Sequence, residues 1–474
     1  MTLPRAGSIA ALDGFGLAEP ALVYDCAAAS ADPPQALRAL ERLLAAGGQA
    51  PSGDAAALRH RLDTSATLRE NLTVVLGASA ALGDHLVARA AAGYADWSVL
   101  TEPDRQCEVQ ALPTDDVDAL RAAYRRRLLR IAAADLSGRL PVMRAASALS
   151  ELADDTLAAA LRFTGNTGAE TAHELTVIAL GKCGARELNY VSDVDVMFVL
   201  PNPEPIEPVA AAAQRLMCIC REVAWQVDAG LRPEGHHGAL VRTVDSYHTY
   251  YQRWAHNWEF QALLKARWAT STTARVAVDD ELAVQWSQQI APMVWQAAGR
   301  PGFVADARAM LQRVRAHAGR TSEHDVKLGP GGLRDIEFAV QLLQLVHGRT
   351  DYELRASGTV AALDALTEGG YVGRADGAAL SASYCFLRQV EHRLQLRGLR
   401  RTHRAPTDPA ALRWLARALG YHLNTPAAES TTEPAASTPA RGRGGDPVEL
   451  FLADWRRHGA QVRQLHEKLF YRPL

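Results

Sequence analysis

The sequence has 474 residues, and its charges nearly balance, for a formal net charge of −2. A chain of this length can build about three domains with a sizeable core. The near-neutral charge argues against non-specific nucleic-acid binding, which needs a net basic face. No apolar run approaches the roughly 20 residues that cross a bilayer.

The six cysteines show no zinc-binding spacing, so we expect reduced packing residues. The segment from Met1 to Asp25 has no charged stretch followed by an apolar core. We therefore expect no signal peptide. A reduced protein without a signal peptide is expected in the cytoplasm.

The first part of the chain is predicted to be mostly helical. Residues 1–55 are rich in Ala, Gly and Pro, and we expect them to be partly ordered. Residues 56–165 have helical periodicity. The stretch Leu120–Ala134 carries a basic face, which is usually solvated but can contact an acidic partner. Its members are Arg121, Arg125, Arg126, Arg127 and Arg130.

Two aspartates follow the next predicted strand. Thr176–Leu180 and Val194–Leu200 have the apolar character of buried strands. On a strand, Asp193 and Asp195 would point to one face, and Val194, Val196 and Phe198 would point to a core. Most Asp-x-Asp pairs are solvated turns or caps. A charged pair in an apolar strand, however, costs several kcal/mol unless a cation or partner compensates it.

The surroundings of this pair suggest a nucleotidyl-transfer site. Paired carboxylates hold Mg²⁺ or Mn²⁺, and the glycines Gly181 and Gly184 let backbone N–H groups approach a phosphate. A third carboxylate, Asp228, follows a predicted helix over Val209–Val227 and precedes a predicted strand over Ala239–Val244. Adjacent strands would thus bring three carboxylates around one metal pair.

The rest of the chain is predicted to be helical apart from one linker. A helix beginning near Tyr247 would end at Lys265 and Arg267. Residues 276–420 form a predicted helical domain, residues 421–447 a disordered linker, and residues 448–474 a final helix. The predicted core stripe of the helical domain comprises Leu380, Tyr384, Leu387, Val390 and Leu394.

Two further groups resemble sites, but the sequence favours structural roles for both. Asp335 and Glu337 follow glycines, but on a helix their side chains diverge by roughly 200° and cannot chelate one ion. We predict Asp335 in the first turn of a helix, and Lys327 and Arg334 in contact with the nucleotidyl-transfer region. His236-His237 lacks a third ligand, which favours a surface loop.

Several separated blocks resemble one family, the glutamine synthetase adenylyltransferase/adenylyl-removing enzymes, which belong to the polymerase-β-like nucleotidyltransferases. The blocks agree in order and spacing over roughly residues 60–420. They are Ala179–Leu200, Val227–Arg242, Trp258–Arg267, Lys327–Gln341 and Tyr384–Gln395. The resemblance implies an α+β, mostly helical fold, in which a small mixed sheet over residues 166–275 forms a nucleotidyltransferase core embedded in helical domains.

The resemblance also implies a function. Family proteins are tandems of two nucleotidyltransferase units. The sequence motifs around Asp193 and Asp228 resemble those of the N-terminal unit. In the family, that unit uses phosphate to remove AMP from a tyrosine of glutamine synthetase and releases ADP. We expect a truncated or split protein, with the nitrogen-signalling PII protein as a further partner. ATP-dependent adenylylation and a non-catalytic PII-sensing module remain alternatives.

Residue by residue, the resemblance assigns a catalytic and metal-binding role to Asp193, Asp195 and Asp228. Nucleotide or phosphate contacts are predicted for Gly181, Lys182, Gly184, Ser192, Arg232 and Lys265. For Arg232 a structural ion pair is an equal alternative, and for Lys265 the alternative is a favourable interaction with the C-terminal dipole of its predicted helix. Gly230 stands where relatives often carry a larger residue, which weakens a phosphate contact from that position.

Overall fold

Helices account for most of the chain, and a small sheet lies in its middle third. The computed structural model of the protein describes residues 5–49, 54–102, 112–165, 175–200, 206–269, 280–318, 324–422 and 445–470. The strands are β1 (Thr176–Ala179), β2 (Val194–Leu200), β3 (Val227–Asp228), β4 (Val241–Thr243) and β5 (Arg267–Trp268).

The α-helices in chain order are α1 (Arg5–Asp13), α2 (Pro20–Ala29), α3 (Pro33–Gln49), α4 (Asp54–Thr64), α5 (Ala66–Ala78), α6 (Ala80–Ala91), α7 (Val117–Leu136), α8 (Val142–Gly165), α9 (Gly181–Gly184), α10 (Ile206–Val223), α11 (Val244–Arg253), α12 (Asn257–Leu263), α13 (Asp280–Gln289), α14 (Ala291–Gln296), α15 (Phe303–Ala318), α16 (Leu333–His347), α17 (Thr359–Glu368), α18 (Arg374–Leu396), α19 (Pro409–Ala418) and α20 (Pro447–Phe470). The fold is α+β and mostly helical, as the sequence predicts.

The sheet is mixed and is organised around β2. Strand β1 pairs with β2 and with β5 in antiparallel fashion, whereas β3 and β4 both pair with β2 in parallel. Strand β3 lies along the beginning of β2 and β4 along its end. A parallel pair needs a crossover connection, and α10 lies within the connection from β2 to β3. The predicted order of strand, helix and strand is confirmed.

Strand β2 is buried on both faces except at Asp195, which is half-buried. Met197 and Val199 share a strand face with Asp195, and both pack in a core cluster with Tyr247 and Phe260. The strand face that carries Asp195 is therefore apolar from Met197 onward. The carboxylate therefore lies at the one position of β2 that reaches the protein surface.

The described residues belong to two compact units, each assembled from separate segments of the chain. The first unit comprises Met1–Glu108, Arg126–Ala145 and Cys385–Arg457, and the second comprises Val109–Arg125, Ala146–Tyr384 and His458–Leu474. The sheet lies in the second unit. The predicted consecutive domains 56–165 and 276–420 are each divided between the two units, because segments distant in sequence pack together.

The predicted linker over residues 421–447 lies mostly outside the described residues. Cys218 is exposed and Cys220 buried, which confirms their predicted placement on different faces of α10. Within the described residues, no single helix is long and apolar enough to cross a membrane. By length and composition, the bent pair α5 and α6, which meet at 119°, passes the same test.

The first unit is helical, and its N-terminal segment is more ordered than the sequence predicts. Residues 1–55 were expected to be partly ordered, but α1, α2 and α3 occupy Arg5–Gln49, and α3 packs against α5 and α6. Buried leucines at regular helical spacing explain the difference; they are Leu37, Leu40, Leu43 and Leu44.

A buried ion pair joins two separate segments of the first unit. Arg393 Nη1 lies 2.8 Å from Asp135 Oδ2, and both side chains are buried. Burial alone would raise the pKa of Asp135, but Arg393 and His392 hold the pKa of that carboxyl well below its ordinary value. The carboxylate is therefore ionised and paired, as a buried charge must be.

The prediction of one continuous helix from near Tyr247 to Arg267 is wrong. Helix α11 ends at Arg253 and α12 begins at Asn257, where the Glu259 carboxylate accepts a hydrogen bond from the backbone N–H of His256 at 2.9 Å. This reciprocal cap starts a new helix. Arg267 lies on β5 instead, and its guanidinium donates to both carboxylate oxygens of Asp154 at 2.8 and 3.0 Å.

A substitution at Gly184 tests how tightly the turn after β1 packs against the segment that follows α12. A Cβ at Gly184 would lie 1.9 Å from the backbone oxygen of Lys265 and 2.6 Å from that of Ala179. We expect Gly184→Ala to lower the free energy of unfolding by about 1–3 kcal/mol or more, because backbone atoms must move. Thermal and urea unfolding measure the loss.

The matched control is Gly459→Ala, in the interior of α20. There a Cβ would meet Arg463 Nη1 at an ordinary 3.5 Å. This variant should be neutral or about 0.5–1 kcal/mol more stable, since alanine favours a helix interior. Equal melting temperatures for the two variants would contradict the packing described for Gly184.

Candidate active site

Asp195 and Asp228 stand opposite each other on neighbouring strands. Strands β2 and β3 are parallel, with Val194 paired to Val227 and Asp195 to Asp228. Neighbouring strands lie about 4.8 Å apart, and residues in register share a face. The prediction that adjacent strands bring these two carboxylates together is confirmed for this pair.

Gly181 explains how the Asp195 carboxylate is accommodated. Its φ is +53°, and a Cβ built on it would lie 2.3 Å from Asp195 Oδ2. The backbone N–H of Leu180 donates to the carbonyl oxygen of Asp195 at 2.8 Å. Position 181 thus requires glycine for two reasons. The backbone has a positive φ, which glycine adopts without strain, and a Cβ would collide with the Asp195 carboxylate.

Asp193 lies immediately before β2 and is half-buried. The hydroxyl of Ser192 donates to the backbone oxygen of Asp193 at 2.8 Å. The phosphate contact predicted for Ser192 stays a prediction. In this structure the hydroxyl stabilises the turn that leads into the strand.

The segment after Asp228 folds back beside its carboxylate. The backbone N–H of Gly230 donates to Asp228 Oδ1 at 2.7 Å. A Cβ on Gly230 would lie 2.9 Å from that oxygen and 2.9 Å from His236 Nε2. The exposed His236 ring therefore lies next to Asp228. The structure confirms the surface loop predicted at His236-His237. The position of the His236 ring next to Asp228 results from the turn at Gly230.

Arg232 holds this loop together. Its guanidinium donates to the backbone oxygens of Ala229 at 2.7 Å, His236 at 3.1 Å and Gly238 at 3.1 Å. Burial lowers the pKa of Arg232, and the neighbouring Asp228 carboxylate opposes that shift. The contacts assign Arg232 a structural role in shaping the Asp228 loop; its phosphate contact remains a prediction.

Lys265, a predicted phosphate contact, is buried in a polar cluster. Its Nζ lies 3.4 Å from Glu187 Oε2 and 3.3 Å from the hydroxyl of Thr359. Glu187 also accepts from Thr359 N–H at 2.5 Å and from the Tyr384 hydroxyl at 3.1 Å. Sequence reasoning did not identify Glu187 or Thr359, because nothing in their local pattern indicates that they meet.

Gly184 and Lys182 lie on the turn between β1 and β2. Gly184 is buried against the Lys265 backbone, which accounts for the glycine by packing. Lys182 directly follows Gly181 on the short helix α9. Phosphate contacts for both residues stay predictions.

The Asp335 and Glu337 pair has the structural character that the sequence predicts. Both lie on α16, and Asp335 Oδ2 accepts a hydrogen bond from the backbone N–H of Gly331 at 2.9 Å in the first turn. Glu337 is buried. Burial by itself raises the pKa of Glu337, but four cations hold it below its ordinary value, with Lys265 and Lys182 the strongest.

Asp195 and Asp228 fit a divalent cation in type and position. Their oxygens are the ligands that Mg²⁺ and Mn²⁺ prefer, and Mg²⁺ typically takes one or two carboxylates beside water and substrate phosphate. Within the part of the chain that the structure describes, no group of three or more His, Cys, Asp or Glu side chains is close enough to hold a metal ion. The role of Asp193 as a third ligand stays a prediction.

Known proteins resemble this chain along most of its length. Residues 99–281 match the family model Glutamate-ammonia ligase adenylyltransferase, and residues 305–470 match the model GlnD PII-uridylyltransferase. A protein of Streptomyces coelicolor is 47% identical over 98% of this chain and 46% of its own length. Its name is bifunctional glutamine synthetase adenylyltransferase/adenylyl-removing enzyme.

Relatives with the same name occur in Mycobacterium avium and Mycobacterium tuberculosis. They are 45% and 44% identical over 94% and 89% of this chain, which covers 43% and 41% of their lengths. The chain belongs to the glutamine synthetase adenylyltransferase/adenylyl-removing enzyme family. It spans a little under half of the length of these relatives. The family model Glutamate-ammonia ligase adenylyltransferase covers Asp193, Asp195 and Asp228.

Divalent-cation binding tests the carboxylate pair without any reaction. We expect Mn²⁺ to raise the melting temperature of the wild-type chain, since binding at 100 times Kd adds about 2.7 kcal/mol. Asp195→Asn should remove most of that shift and slightly raise the melting temperature without metal, because carboxylate repulsion is relieved. Thermal unfolding with and without Mn²⁺ measures both effects.

Asp245→Asn is the matched control, since Asp245 is an exposed carboxylate at the start of α11. It should keep the full Mn²⁺ shift. A full Mn²⁺ shift in Asp195→Asn as well would show that the cation binds elsewhere.

Proposed function

We propose that this chain removes AMP from adenylylated glutamine synthetase by phosphorolysis and releases ADP. The observation that carries the proposal is the register of Asp195 with Asp228 on neighbouring parallel strands. This pair lies within the region that matches the family model Glutamate-ammonia ligase adenylyltransferase. The names of the relatives support glutamine synthetase as the substrate.

The proposed reaction joins two anions. An oxygen of orthophosphate forms a bond to the phosphorus of the adenylyl group, and the bond from that phosphorus to the tyrosine oxygen breaks. The electron pair leaves with the phenolate, which takes up a proton, and the products are ADP and tyrosine. Because tyrosine has a solution pKa near roughly 10, its phenolate is a moderate leaving group that needs little protonation.

Asp195 and Asp228 would hold Mg²⁺ or Mn²⁺, with Asp193 beside them. When bound, such a cation neutralises phosphate charge and aligns the attacking and leaving oxygens. Gly181 keeps the Asp195 carboxylate in place through its lack of a Cβ. Arg232 and the Gly230 N–H hold the Asp228 loop in the conformation that presents the second carboxylate.

The proposed direction of the reaction rests on two sequence motifs. The run Glu187-Leu-Asn-Tyr190 before the aspartates and the run Leu231-Arg-Pro-Glu-Gly235 after Asp228 resemble the N-terminal, AMP-removing unit of the family. ATP-dependent adenylylation is the second candidate, because the same metal site serves both directions.

Regulation by a PII protein is part of the proposal. The match of residues 305–470 to the GlnD PII-uridylyltransferase model supports a link to PII signalling. A non-catalytic PII-sensing module is the candidate from another class, and the in-register carboxylates favour catalysis over it. The cytoplasmic location stays a prediction.

Direction and metal dependence are tested together. The chain should release ADP from adenylylated glutamine synthetase only with both phosphate and Mg²⁺ or Mn²⁺. Asp195→Asn should lower the rate by about a hundredfold or more, because it removes a key electrostatic group. Chromatography of released ADP measures the reaction, and Asp245→Asn is the control with unchanged activity.

The converse assay uses unmodified glutamine synthetase and labelled ATP. No AMP incorporation is expected. Incorporation that is abolished by Asp195→Asn would instead establish the adenylylating direction, and failure of both assays for the wild-type chain would leave the non-catalytic module as the better account.

A further inference from the structure

The turn between β1 and β2 is short and needs support from other parts of the chain. Helix α9 has four residues, Gly181–Gly184, and so short a helix has little stability of its own. Its first residue lies against the Asp195 carboxylate, because a Cβ on Gly181 would lie 2.3 Å from Asp195 Oδ2. A shift of the turn would therefore change the space in which this carboxylate is held.

Arg267 supports the other end of this turn. Its Nη2 donates to the backbone oxygen of Cys183 at 3.0 Å, and its Nε donates to that of Gly184 at 3.2 Å. These are the last two carbonyl groups of α9, which a basic side chain can satisfy at a helix end. The backbone of Arg267 is also fixed, since Arg267 is paired in register with Ala179 at the end of β1.

Asp154 orients the Arg267 guanidinium. Nη1 donates to Asp154 Oδ2 at 2.8 Å, and Nη2 donates to Asp154 Oδ1 at 3.0 Å. Nη1 also donates to the backbone oxygen of Trp268 at 2.9 Å. A guanidinium has five N–H groups, and the hydrogen bonds of Arg267 reach five protein oxygens. The side chain is therefore engaged with the protein and not with a substrate phosphate.

The pair is buried and anchored to a packed helix. The Asp154 side chain is 2% exposed and the Arg267 side chain 15%, and buried charges are strongly unfavourable unless they stay paired. Asp154 lies on α8, close in sequence to the buried residues Leu152, Ala153 and Leu157. The guanidinium is thus held by a core helix while it binds the turn beside Asp195.

We propose that Arg267, oriented by Asp154, is a positioning residue for Asp195. It holds the Gly181–Gly184 turn against that carboxylate and so keeps the carboxylate in the position that binds a divalent cation. The proposal rests on the proposed function for the reaction that this carboxylate serves. Arg267 itself contacts neither the cation nor the substrate, and it acts only through the turn.

Arg267→Lys tests the geometry of the guanidinium without removing the charge. Lysine keeps a cation beside Asp154, but its single nitrogen cannot bind the carboxylate and both carbonyl groups of the turn. Mn²⁺ should bind about tenfold more weakly, the usual size of an effect on metal binding from outside the ligand set. At saturating Mn²⁺, kcat for ADP release should fall about tenfold to a hundredfold, because a small misplacement is sufficient for such a loss. KM for phosphate should stay at the wild-type value.

Two measurements on the full chain need no substrate. Calorimetry gives the Mn²⁺ affinity. Hydrogen exchange of the metal-free protein reports the turn, through the N–H groups of Leu180 and Gly184, which donate to the backbone oxygens of Asp195 and Leu180, each at 2.8 Å. Both amides should exchange faster in Arg267→Lys.

The matched control is Arg393→Lys, which alters the buried Asp135–Arg393 ion pair of the first unit. It should lower the melting temperature to a similar extent as Arg267→Lys. The Mn²⁺ affinity, the exchange of the two amides and kcat should remain at their wild-type values. A purely structural role for Arg267 would give this same result in Arg267→Lys.

Wild-type Mn²⁺ affinity and amide exchange in Arg267→Lys would overturn the positioning role, even if the melting temperature falls. A raised KM for phosphate with unchanged kcat would overturn it as well, because that result indicates direct contact with phosphate. If Arg267→Lys does not fold, the nearly isosteric Asp154→Asn removes the charge that orients the guanidinium and is expected to give the same results. A wild-type chain that releases no ADP would refute the proposed function, while Mn²⁺ binding and hydrogen exchange would still decide the role of Arg267.

Discussion

The parallel register between β2 and β3 is the constraint on which the candidate site depends. A shift of one residue would turn every side chain of the short β3 to the opposite face, and Asp228 would no longer face Asp195. Strand β3 has two residues, so its own hydrogen bonds cannot fix this register strongly. The loop that follows provides the additional restraint, because Arg232 and Gly230 tie it to the end of the strand.

The turn between β1 and β2 imposes a second constraint, of close packing. Gly181 admits the Asp195 carboxylate, and Gly184 admits the Lys265 backbone. A side chain at position 181 would collide with the Asp195 carboxylate, and one at position 184 would collide with the backbone of Lys265, whose side chain belongs to the polar cluster around Glu187. This cluster contains a buried ion pair, and removing one partner of such a pair typically costs about 3–5 kcal/mol. Stability and the geometry of the site are therefore coupled through the same few residues.

Local pattern in the sequence determined the elements of the site. The apolar strand around Asp195, the helical period of α10 and the order of strand, helix and strand were sufficient to predict that Asp195 and Asp228 lie on neighbouring strands, because a parallel pair requires such a crossover. Local pattern also separated Asp335 from the site, since helix geometry does not bring i and i+2 together. Local pattern did not predict the break between α11 and α12 at Trp254–His256. There the cap at His256 begins a new helix, although the apolar residues continue at helical spacing.

Tertiary structure alone decided which distant residues meet. Glu187 lies 78 positions from Lys265 and 172 from Thr359 in sequence, and His236 comes to lie beside Asp228 through one glycine turn. The two compact units combine segments from both ends of the chain. Such contacts depend on how helices pack and on which buried charges find partners. These are properties of the whole folded chain, and periodicity within a segment carries no information about them.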